Sequence, residues 1–251
     1  MDEKVLCIPA RKIVPVLENL ALYYETESKF FPSSILPLYE IIYSIIRRST
    51  PQGGLFVPRS LCEEDVNLRQ LVNYSVVNVG GKLFSYLRGK KGGEARLHAK
   101  RSIGVGGHIN DTDFYNDARV EGAPGSLINE ASLMKASMRE INEEIEYNPL
   151  SKLRNLPPKI TYRGLICDLK PEKEVDAVHA GLVYEIEYSP GYITQKCDSI
   201  EDPKLCPLWY ASTELEFENW SQILMSVLFE PDVSFFSQSI ERFVSKQQDT
   251  L

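Results

Sequence analysis

Residues 127–145 constrain the fold of this chain more than any other stretch. Apolar residues recur there at alternating steps of four and three, the spacing that lines one face of an α-helix. They are Leu127, Ala131, Met134, Met138, Ile141 and Ile145. We therefore predict an amphipathic helix over this segment, with the apolar stripe packed against a β-sheet.

Three carboxylates lie away from this stripe. At about 100° per residue, Glu140, Glu143 and Glu144 fall within a sector of roughly 100° on the other side of the helix. Their like charges repel one another unless a cation lies among them. Carboxylate oxygens are ligands of Mg²⁺, which also binds water and substrate phosphates. Because acidic runs on helices are often solvated surfaces, this pattern alone leaves both interpretations open.

A glycine-rich segment precedes the predicted helix. Residues 101–110 read RSIGVGGHIN, an apolar strand-like run that contains Gly104, Gly106 and Gly107. Missing side chains at these positions would let the backbone approach a ligand or a metal.

A glycine-rich strand end followed by a carboxylate helix resembles the Nudix (MutT-type) hydrolases, whose pattern is G-x5-E-x7-R-E-U-x-E-E-x-G-U with U aliphatic. Residues 139–144, REINEE, match the R-E-U-x-E-E core, and Gly107 corresponds to the first glycine. The sequence departs from the pattern in three places. First, 23 residues (108–130) separate Gly107 from the position of the family's first glutamate, where the pattern has five. Second, Ala131 stands at the position of that glutamate. Third, Glu146 and Tyr147 stand at the positions of the final glycine and aliphatic residue.

The resemblance implies an α+β Nudix fold, a mixed β-sheet between α-helices. It covers roughly residues 66–230, and the elements GVGGHIN, VHAGL and Trp220-Ser221 are similar to the MutT-like phosphoesterase subfamily. Residues 70–86 predict a hairpin around Gly80-Gly81, and residues 159–168 and 178–188 predict two more strands.

The activity implied by the resemblance is metal-dependent hydrolysis of a diphosphate linkage in a nucleoside diphosphate linked to another group. Glu140, Glu143 and Glu144 would hold Mg²⁺ or Mn²⁺, with the Gly107 carbonyl as a further ligand. Arg139 would orient a glutamate, and Glu143 is the preferred central ligand or base. Two alternatives stay open: a catalytically silent Nudix-fold module that binds nucleotides or regulates, and a prenyl diphosphate isomerase, which the lack of a cysteine near the motif disfavours.

Substrate contacts are expected from basic residues beside the glycine-rich segment. Arg88 and Arg101 are candidates because a guanidinium binds phosphate oxygens through two hydrogen bonds. His108 is either a substrate contact or a locally bonded neutral histidine. His179, on a predicted strand, is interpreted as structural. A later acidic loop could supply a base or a further ligand; its acids are Glu172, Glu174 and Asp176.

The insertion is the expected source of substrate specificity. We interpret residues 111–125 as a lid, in which Phe114 and Tyr115 stack on a base or sugar while Asp111, Asp113 and Asp117 repel a bare polyphosphate. A disordered surface insertion is the alternative.

The remaining segments predict an N-terminal α/β extension, residues 1–65, packed on a Nudix domain, residues 66–250. The extension has a strand at 5–9 and helices at 13–24 and 34–48; the tail predicts one or two helices at 220–246.

A net charge of −7 disfavours general nucleic-acid binding. The absence of a signal-like or long apolar segment favours a cytoplasmic protein outside the membrane. Five cysteines without a C-x-x-C pair predict reduced thiols. The sequence leaves the substrate and the oligomeric state open.

Overall fold

The computed structural model describes residues 2–24, 29–42, 46, 55–89, 100–115, 128–150, 156–169, 177–207 and 217–228. Twelve strands are named in this part of the chain. They are β1 (Lys4–Pro9), β2 (Phe30–Pro32), β3 (Leu55–Pro58), β4 (Leu68–Val79), β5 (Lys82–Arg88), β6 (Arg101–Ser102), β7 (Gly104–Val105), β8 (Ile145–Pro149), β9 (Lys159–Ile166), β10 (His179–Tyr188), β11 (Gly191–Gln195) and β12 (Ile200–Pro207). The named helices are α1 (Ala10–Tyr23), α2 (Leu38–Glu40), α3 (Arg59–Cys62), α4 (Thr112–Tyr115), α5 (Glu130–Glu144) and α6 (Asn219–Leu228).

A mixed ten-stranded sheet forms the centre of the molecule, with the order β12-β5-β4-β10-β9-β2 along its main path. Strands β4 and β10 run parallel, from the pair Gln70 and His179 to the pair Val79 and Tyr188. The other pairs in this sheet are antiparallel. Strands β8 and β11 form a separate two-stranded sheet.

Helices cover both faces of the main sheet. On one face, α1 and α5 contribute Ile13, Leu17 and Leu133 to the core that contains Leu182 of β10. On the other face, Leu224 of α6 packs in a cluster with Val183 of β10, the next residue along the strand. Successive side chains of a strand point to opposite faces, so the central strands are apolar on both. The predicted α+β fold, a mixed sheet between helices, is confirmed.

The β4–β5 hairpin turns at two glycines. Gly80 and Gly81 have φ angles of 57° and 82°, and Val79 pairs with Lys82 across the turn. Positive φ at both central residues is the requirement of a type I′ hairpin turn, which glycine meets without a steric penalty. The predicted hairpin at 70–86 is confirmed, as are the predicted strands at 159–168 and 178–188.

The N-terminal residues contribute directly to the main sheet. Strand β1 pairs antiparallel with β4, where Cys7 lies opposite Gln70, and with β3 on its other edge. The predicted strand at 5–9 and helix at 13–24 are confirmed. The predicted helix at 34–48 is wrong at its start, because residues 34–37 form a turn and an irregular stretch before Leu38. Helical residues are seen at 38–42 and at 46, and residues 43–45 and 47–48 lie outside the described residues. The domain boundary at residue 65 stays a prediction.

Helix α5 is shorter than the predicted helix, for reasons at both of its ends. At the start, the Asn129 side chain accepts a hydrogen bond from the Ser132 amide (3.0 Å), and the Ser132 hydroxyl accepts one from the Asn129 amide (2.9 Å). This capping box fixes the first turn at Glu130. At the other end, Ile145 is extended (φ −131°, ψ 157°) and begins β8. The chain thus passes from helix to strand without a glycine turn.

The buried face of α5 also differs from the predicted stripe. Its buried residues are Leu133, Ala136, Ser137, Glu140 and Ile141. Ala131 is exposed and Met134 and Met138 are half-buried, so the stripe was correct at Ile141 and wrong at Ala131. Ser137 lies on this face because its hydroxyl is 2.7 Å from that of Ser75 in β4. The two hydroxyls satisfy each other inside the core.

Ile141 provides a test of this packing. It is 1% exposed, so Ile141→Asp buries an unpaired charge and should lower the free energy of unfolding by about 3 kcal/mol or more. Ala131→Asp, on the exposed face of the same helix, should leave it within about 0.5 kcal/mol of the parent. Urea unfolding followed by circular dichroism measures both. Equal stability of Ile141→Asp and the parent would contradict the assigned face.

Candidate active site

Arg139 of α5 holds the candidate site together. Its guanidinium donates hydrogen bonds to both carboxylate oxygens of Asp113 (2.6 and 3.0 Å) and to the His108 carbonyl (3.1 Å). It also forms ion pairs with Glu140 (2.8 Å) and Glu143 (3.2 Å). Burial lowers the pKa of Arg139, but these carboxylates outweigh burial and hold the pKa above its usual value. The predicted contact between Arg139 and a glutamate is present.

Asp113 is a site residue that the sequence did not identify. Its side chain is 4% exposed and, besides binding Arg139, accepts a hydrogen bond from the Asn110 amide (2.8 Å). It lies 26 positions before Arg139, a separation at which no local spacing rule relates two residues. The prediction that Asp113 repels a polyphosphate is therefore corrected, because its charge is directed inward at Arg139.

The start of the insertion belongs to the core. Phe114 is 4% exposed, and its ring centroid lies 5.5 Å from that of Phe56. The predicted stacking of Phe114 on a substrate is therefore wrong, since the ring is used to bury α4. The side chain of Tyr115 and all of residues 116–127 lie outside the described residues, so the lid interpretation stays a prediction for that part.

The three glutamates differ in exposure rather than sharing one solvated sector. Glu140 has 12% of its side chain exposed and Glu143 has 58%. Burial raises the pKa of Glu140 to about 7; Arg139 lowers it, and Glu143 and Glu144 add to the rise. Burial also raises the pKa of Glu144, against the effects of Arg88 and a 3.4 Å hydrogen bond from Ser199. The acids thus stay close enough to affect one another's charge.

The glycines of the strand have different neighbours. A Cβ atom on Gly107 would lie 2.7 Å from a carboxylate oxygen of Glu140, so a larger residue there would displace this carboxylate from its present position. At Gly104 the added atom would meet the Tyr74 ring, and at Gly106 the Asn73 backbone. We predicted that a ligand or metal would approach the backbone at these glycines. At Gly104 and Gly106, atoms of the protein itself fill that space.

The oxygen atoms at this site are of the type that a hard divalent cation binds, namely carboxylates and a backbone carbonyl. Three carboxylates lie within two turns of one helix, and the Gly107 gap admits Glu140 to the backbone. The Gly107 carbonyl accepts a hydrogen bond from the Asn73 amide (2.9 Å), which leaves one lone pair for a further ligand. Across the described ranges, no three His, Cys, Asp or Glu side chains already converge in a metal-binding group. Cation binding would therefore require these carboxylates to move closer together.

The predicted substrate contacts lie in different places. Arg101 is 2% exposed, and its guanidinium donates to Asp202 (2.5 Å) and to the Ser85 hydroxyl (3.3 Å). Arg88 pairs with Glu218 (3.5 Å) and keeps 27% of its side chain exposed. Arg101 is thus buried with a protein partner on β12, and a substrate contact at this residue stays a prediction.

His108 has its backbone at the site and its ring elsewhere. Its carbonyl binds Arg139, while its ring centroid lies 5.7 Å from that of His179. Because neighbouring residues of an extended chain point to opposite faces, and Gly107 faces Glu140, the ring of His108 points to the other face of the sheet. Burial lowers the pKa of His108 to about 3, with Arg59 and His179 adding to the effect. The ring is therefore neutral at physiological pH. The predicted acidic loop with Glu172, Glu174 and Asp176 lies outside the described residues.

Comparison with known proteins identifies the fold. The crystal structure of Tm1382, a proposed Nudix hydrolase, matches with a TM-score of 0.58 and 20% identity, over 90% of this chain and 98% of Tm1382. A bifunctional NMN adenylyltransferase/ADP ribose pyrophosphatase from Francisella tularensis has a TM-score of 0.39 and 13% identity, over 65% of this chain and 41% of that one; a score this low supports no inference. The chain thus has the Nudix fold, and its resemblance to Nudix hydrolases is confirmed at the level of the fold.

One curated protein is similar along nearly the whole chain. Protein YmaB of Bacillus subtilis (strain 168) is 29% identical over 238 residues, which is 91% of this chain and 98% of YmaB. No family model matches the chain. Among the described residues, no helix is both long and apolar enough to cross a membrane.

The buried carboxyl of Glu140 predicts a pH-dependent stability. A pKa raised by folding means that the folded protein binds this proton more tightly than the unfolded chain, so stability falls as pH rises from about 4.5 to about 7. With EDTA present, Glu140→Gln should remove this loss and stabilise the protein by up to about 3 kcal/mol at pH 8. The gain should shrink toward pH 4.5. Thermal unfolding across this range measures it, and a gain independent of pH would contradict the assigned burial.

The pair of Arg139 and Asp113 provides a second test. Asp113→Asn leaves Arg139 with one weaker acceptor and should lower stability by about 1–3 kcal/mol. Asp111→Asn, two residues earlier in the same segment, is the matched control and should change stability by less than about 0.5 kcal/mol. Both are measured by denaturant unfolding at pH 7.5. If the two variants were equally stable, Asp113 would not be the inward partner of Arg139.

Proposed function

We propose that this chain is a Nudix pyrophosphohydrolase that cleaves a diphosphate linkage in a nucleoside diphosphate linked to another group, and that it needs Mg²⁺ or Mn²⁺. The observation that supports the proposal is the REINEE segment on α5, which places an arginine and three glutamates on one helix of a Nudix fold, with Glu140 against Gly107. Fold alone does not specify chemistry, so we infer the function from these side chains.

The carboxylates of Glu140, Glu143 and Glu144 would hold the cation, with the Gly107 carbonyl as a further ligand. A bound Mg²⁺ or Mn²⁺ neutralises diphosphate charge and lowers the pKa of water. Relief of repulsion supports this assignment: Glu143 and Glu144 raise the pKa of Glu140, and a cation among them would reverse that effect.

Arg139 would act by orientation. Fixed by Asp113 and the His108 carbonyl, its guanidinium keeps Glu140 and Glu143 on one side of the helix. Glu143 is the more exposed of these two glutamates, so it is the one best placed to meet an incoming substrate and water. We therefore propose Glu143 as the central ligand or base. Of the basic residues predicted to contact substrate, Arg88 keeps 27% of its side chain exposed.

Glu143→Gln tests the assignment. The substitution removes a proposed metal ligand, so it should abolish metal-dependent hydrolysis. Because the side chain is exposed and belongs to a cluster of like charges, the melting temperature should stay within about 2 °C of the parent. Glu146→Gln, an exposed acid just beyond the helix with the same change in charge, is the matched control and should retain full activity.

The assay is a substrate screen with Mg²⁺ and with Mn²⁺, scored by released phosphate after phosphatase coupling. It covers nucleotide sugars, dinucleoside polyphosphates, NAD-like dinucleotides and oxidised nucleoside triphosphates. Hydrolysis by the parent that disappears in EDTA and in Glu143→Gln supports the proposal. Wild-type turnover in Glu143→Gln would remove the assigned site, and binding without turnover in the parent would favour the silent module.

A further inference from the structure

The sheet face opposite to α5 carries polar and aromatic side chains that the proposed function does not use. Gln70 and His179 pair in the parallel ladder of β4 and β10, and the ring centroid of His108 lies 5.7 Å from that of His179. Trp220 of α6 covers Gly181 on the same face, because a Cβ atom on Gly181 would lie 2.6 Å from the tryptophan ring. We call Gln70, His108, His179 and Trp220 the polar cluster.

Val72 forms the floor of an opening in this cluster. It pairs with His108 on one side and with Gly181 on the other. Although β4 is a central strand, Val72 is only half-buried, whereas Tyr74, next on the same face, is 4% exposed. Neighbouring strands lie about 4.8 Å apart, so the strands of His108 and Gly181 are about 10 Å apart. Because aromatic rings in contact have centroids about 5 Å apart, this spacing admits one planar ring between His108 and Trp220.

Three members of the cluster have a buried polar atom that lacks a hydrogen-bond partner within the described part of the chain. These atoms are Oε1 of Gln70, Nε2 of His108 and Nε1 of Trp220. The Gln70 side chain is fully buried, and its Nε2 donates to the Cys62 carbonyl (3.2 Å), which leaves the oxygen to accept a bond. Unpartnered buried polar atoms are costly and uncommon. Beside an opening, they indicate a ligand that supplies their partners.

The types of these atoms select the class of ligand. The Gln70 oxygen needs a donor, and the Trp220 N–H needs an acceptor. The oxygens of a diphosphate accept hydrogen bonds and therefore do not suit Gln70. A nucleobase has donors and acceptors along its edge and a flat surface that stacks on aromatic side chains. The cluster is thus complementary to a base.

The strand that carries His108 connects this face with the candidate active site. The Gly107 carbonyl points toward β4, where it accepts a bond from the Asn73 amide (2.9 Å). Successive carbonyls of a strand point to opposite edges, so that of His108 points outward, and there Arg139 donates to it (3.1 Å). The arginine of the glutamate helix therefore lies at an edge of this strand. A substrate held at the glutamates can extend round that edge to the polar cluster.

We propose that the polar cluster binds the nucleobase of the substrate, stacked between His108 and Trp220 and hydrogen-bonded to the Gln70 oxygen. The inference rests on the proposed function, since it treats the ligand as the nucleoside part of a diphosphate substrate. It divides the two tasks between the faces of the sheet: α5 binds the diphosphate and the cation, and the face under α6 selects the base.

The experiment measures base binding without metal or turnover. AMP, GMP, CMP and UMP are each titrated into the full chain in EDTA, with ribose 5-phosphate as the probe that has the sugar and phosphate but no base. Isothermal titration calorimetry gives each Kd. The best of the four nucleotides should bind at least about tenfold more tightly than ribose 5-phosphate, because stacking of the base adds to its affinity.

Two conservative variants test the residues of the cluster. Trp220→Phe keeps a ring but loses the N–H donor, and His108→Phe keeps a ring but loses Nε2. Each should weaken binding of the best nucleotide by about threefold to tenfold, the effect of one lost hydrogen bond. Ribose 5-phosphate should bind both variants as it binds the parent. Circular dichroism checks their folding, and if one variant unfolds, the other decides.

The matched control is Tyr184→Phe. Tyr184 of β10 also has a buried hydroxyl without a hydrogen-bond partner among the described residues, but it lies in the core on the α5 face with Leu182. Its variant should bind the nucleotide with parental affinity. An equal loss in Tyr184→Phe would show an effect of general packing and would overturn the inference.

The remaining outcomes separate this inference from the proposed function. Equal affinity for the best nucleotide and ribose 5-phosphate, or parental affinity in a folded Trp220→Phe or His108→Phe, would overturn the base site. A parent that hydrolyses a compound of the screen but binds none of the four nucleotides would overturn the base site and leave the hydrolase standing. Base-dependent binding by a parent that hydrolyses nothing would support the base site and contradict the hydrolase. A parent that does neither would overturn both.

Discussion

The guanidinium of Arg139 binds groups from three separate segments, and the candidate site depends on it. It bonds Asp113 of α4, the backbone of the glycine-rich strand at His108, and the helix's own Glu140 and Glu143. Without it, Asp113 would be a buried charge with no cationic partner, and α4 would lose this polar contact with α5. A planar group with five donors can satisfy all these acceptors at once, which an ammonium cannot.

The same contacts explain why an acidic cluster survives beside a core. Glu140 is packed against Gly107 because that position has no side chain, and its pKa rises because the surroundings are poor in water. Two cations limit the cost: Arg139 on one side, and Arg88, near Glu144, on the other. Arg88 is in turn balanced by Glu218. The site is therefore an alternation of acids and arginines, in which an added divalent cation would replace arginine contacts of the glutamates.

Much of the fold could be predicted from the sequence, because turns and strands depend on residues that are close together in the chain. Gly80-Gly81 predicted the hairpin, and the strand-like run at residues 178–188 predicted β10. The apolar stripe of α5 was less accurate, since burial of Ser137 depends on a hydroxyl partner from β4 and burial of Glu140 on a gap at Gly107. Neither is visible in periodicity. The roles of Asp113 and Phe114 were missed because each depends on a partner distant in sequence, as in the pairing of Asp113 with Arg139 across 26 positions.

Whether the glutamates of α5 form a divalent-cation site can be tested by locating the bound ion. Crystals of the parent protein soaked in Mn²⁺ and measured at the manganese absorption edge would show the ion in an anomalous difference map. We expect a peak among the carboxylates of Glu140, Glu143 and Glu144, with Arg139 turned from at least one of them. A map with no peak at α5, or with manganese bound only elsewhere, would contradict it.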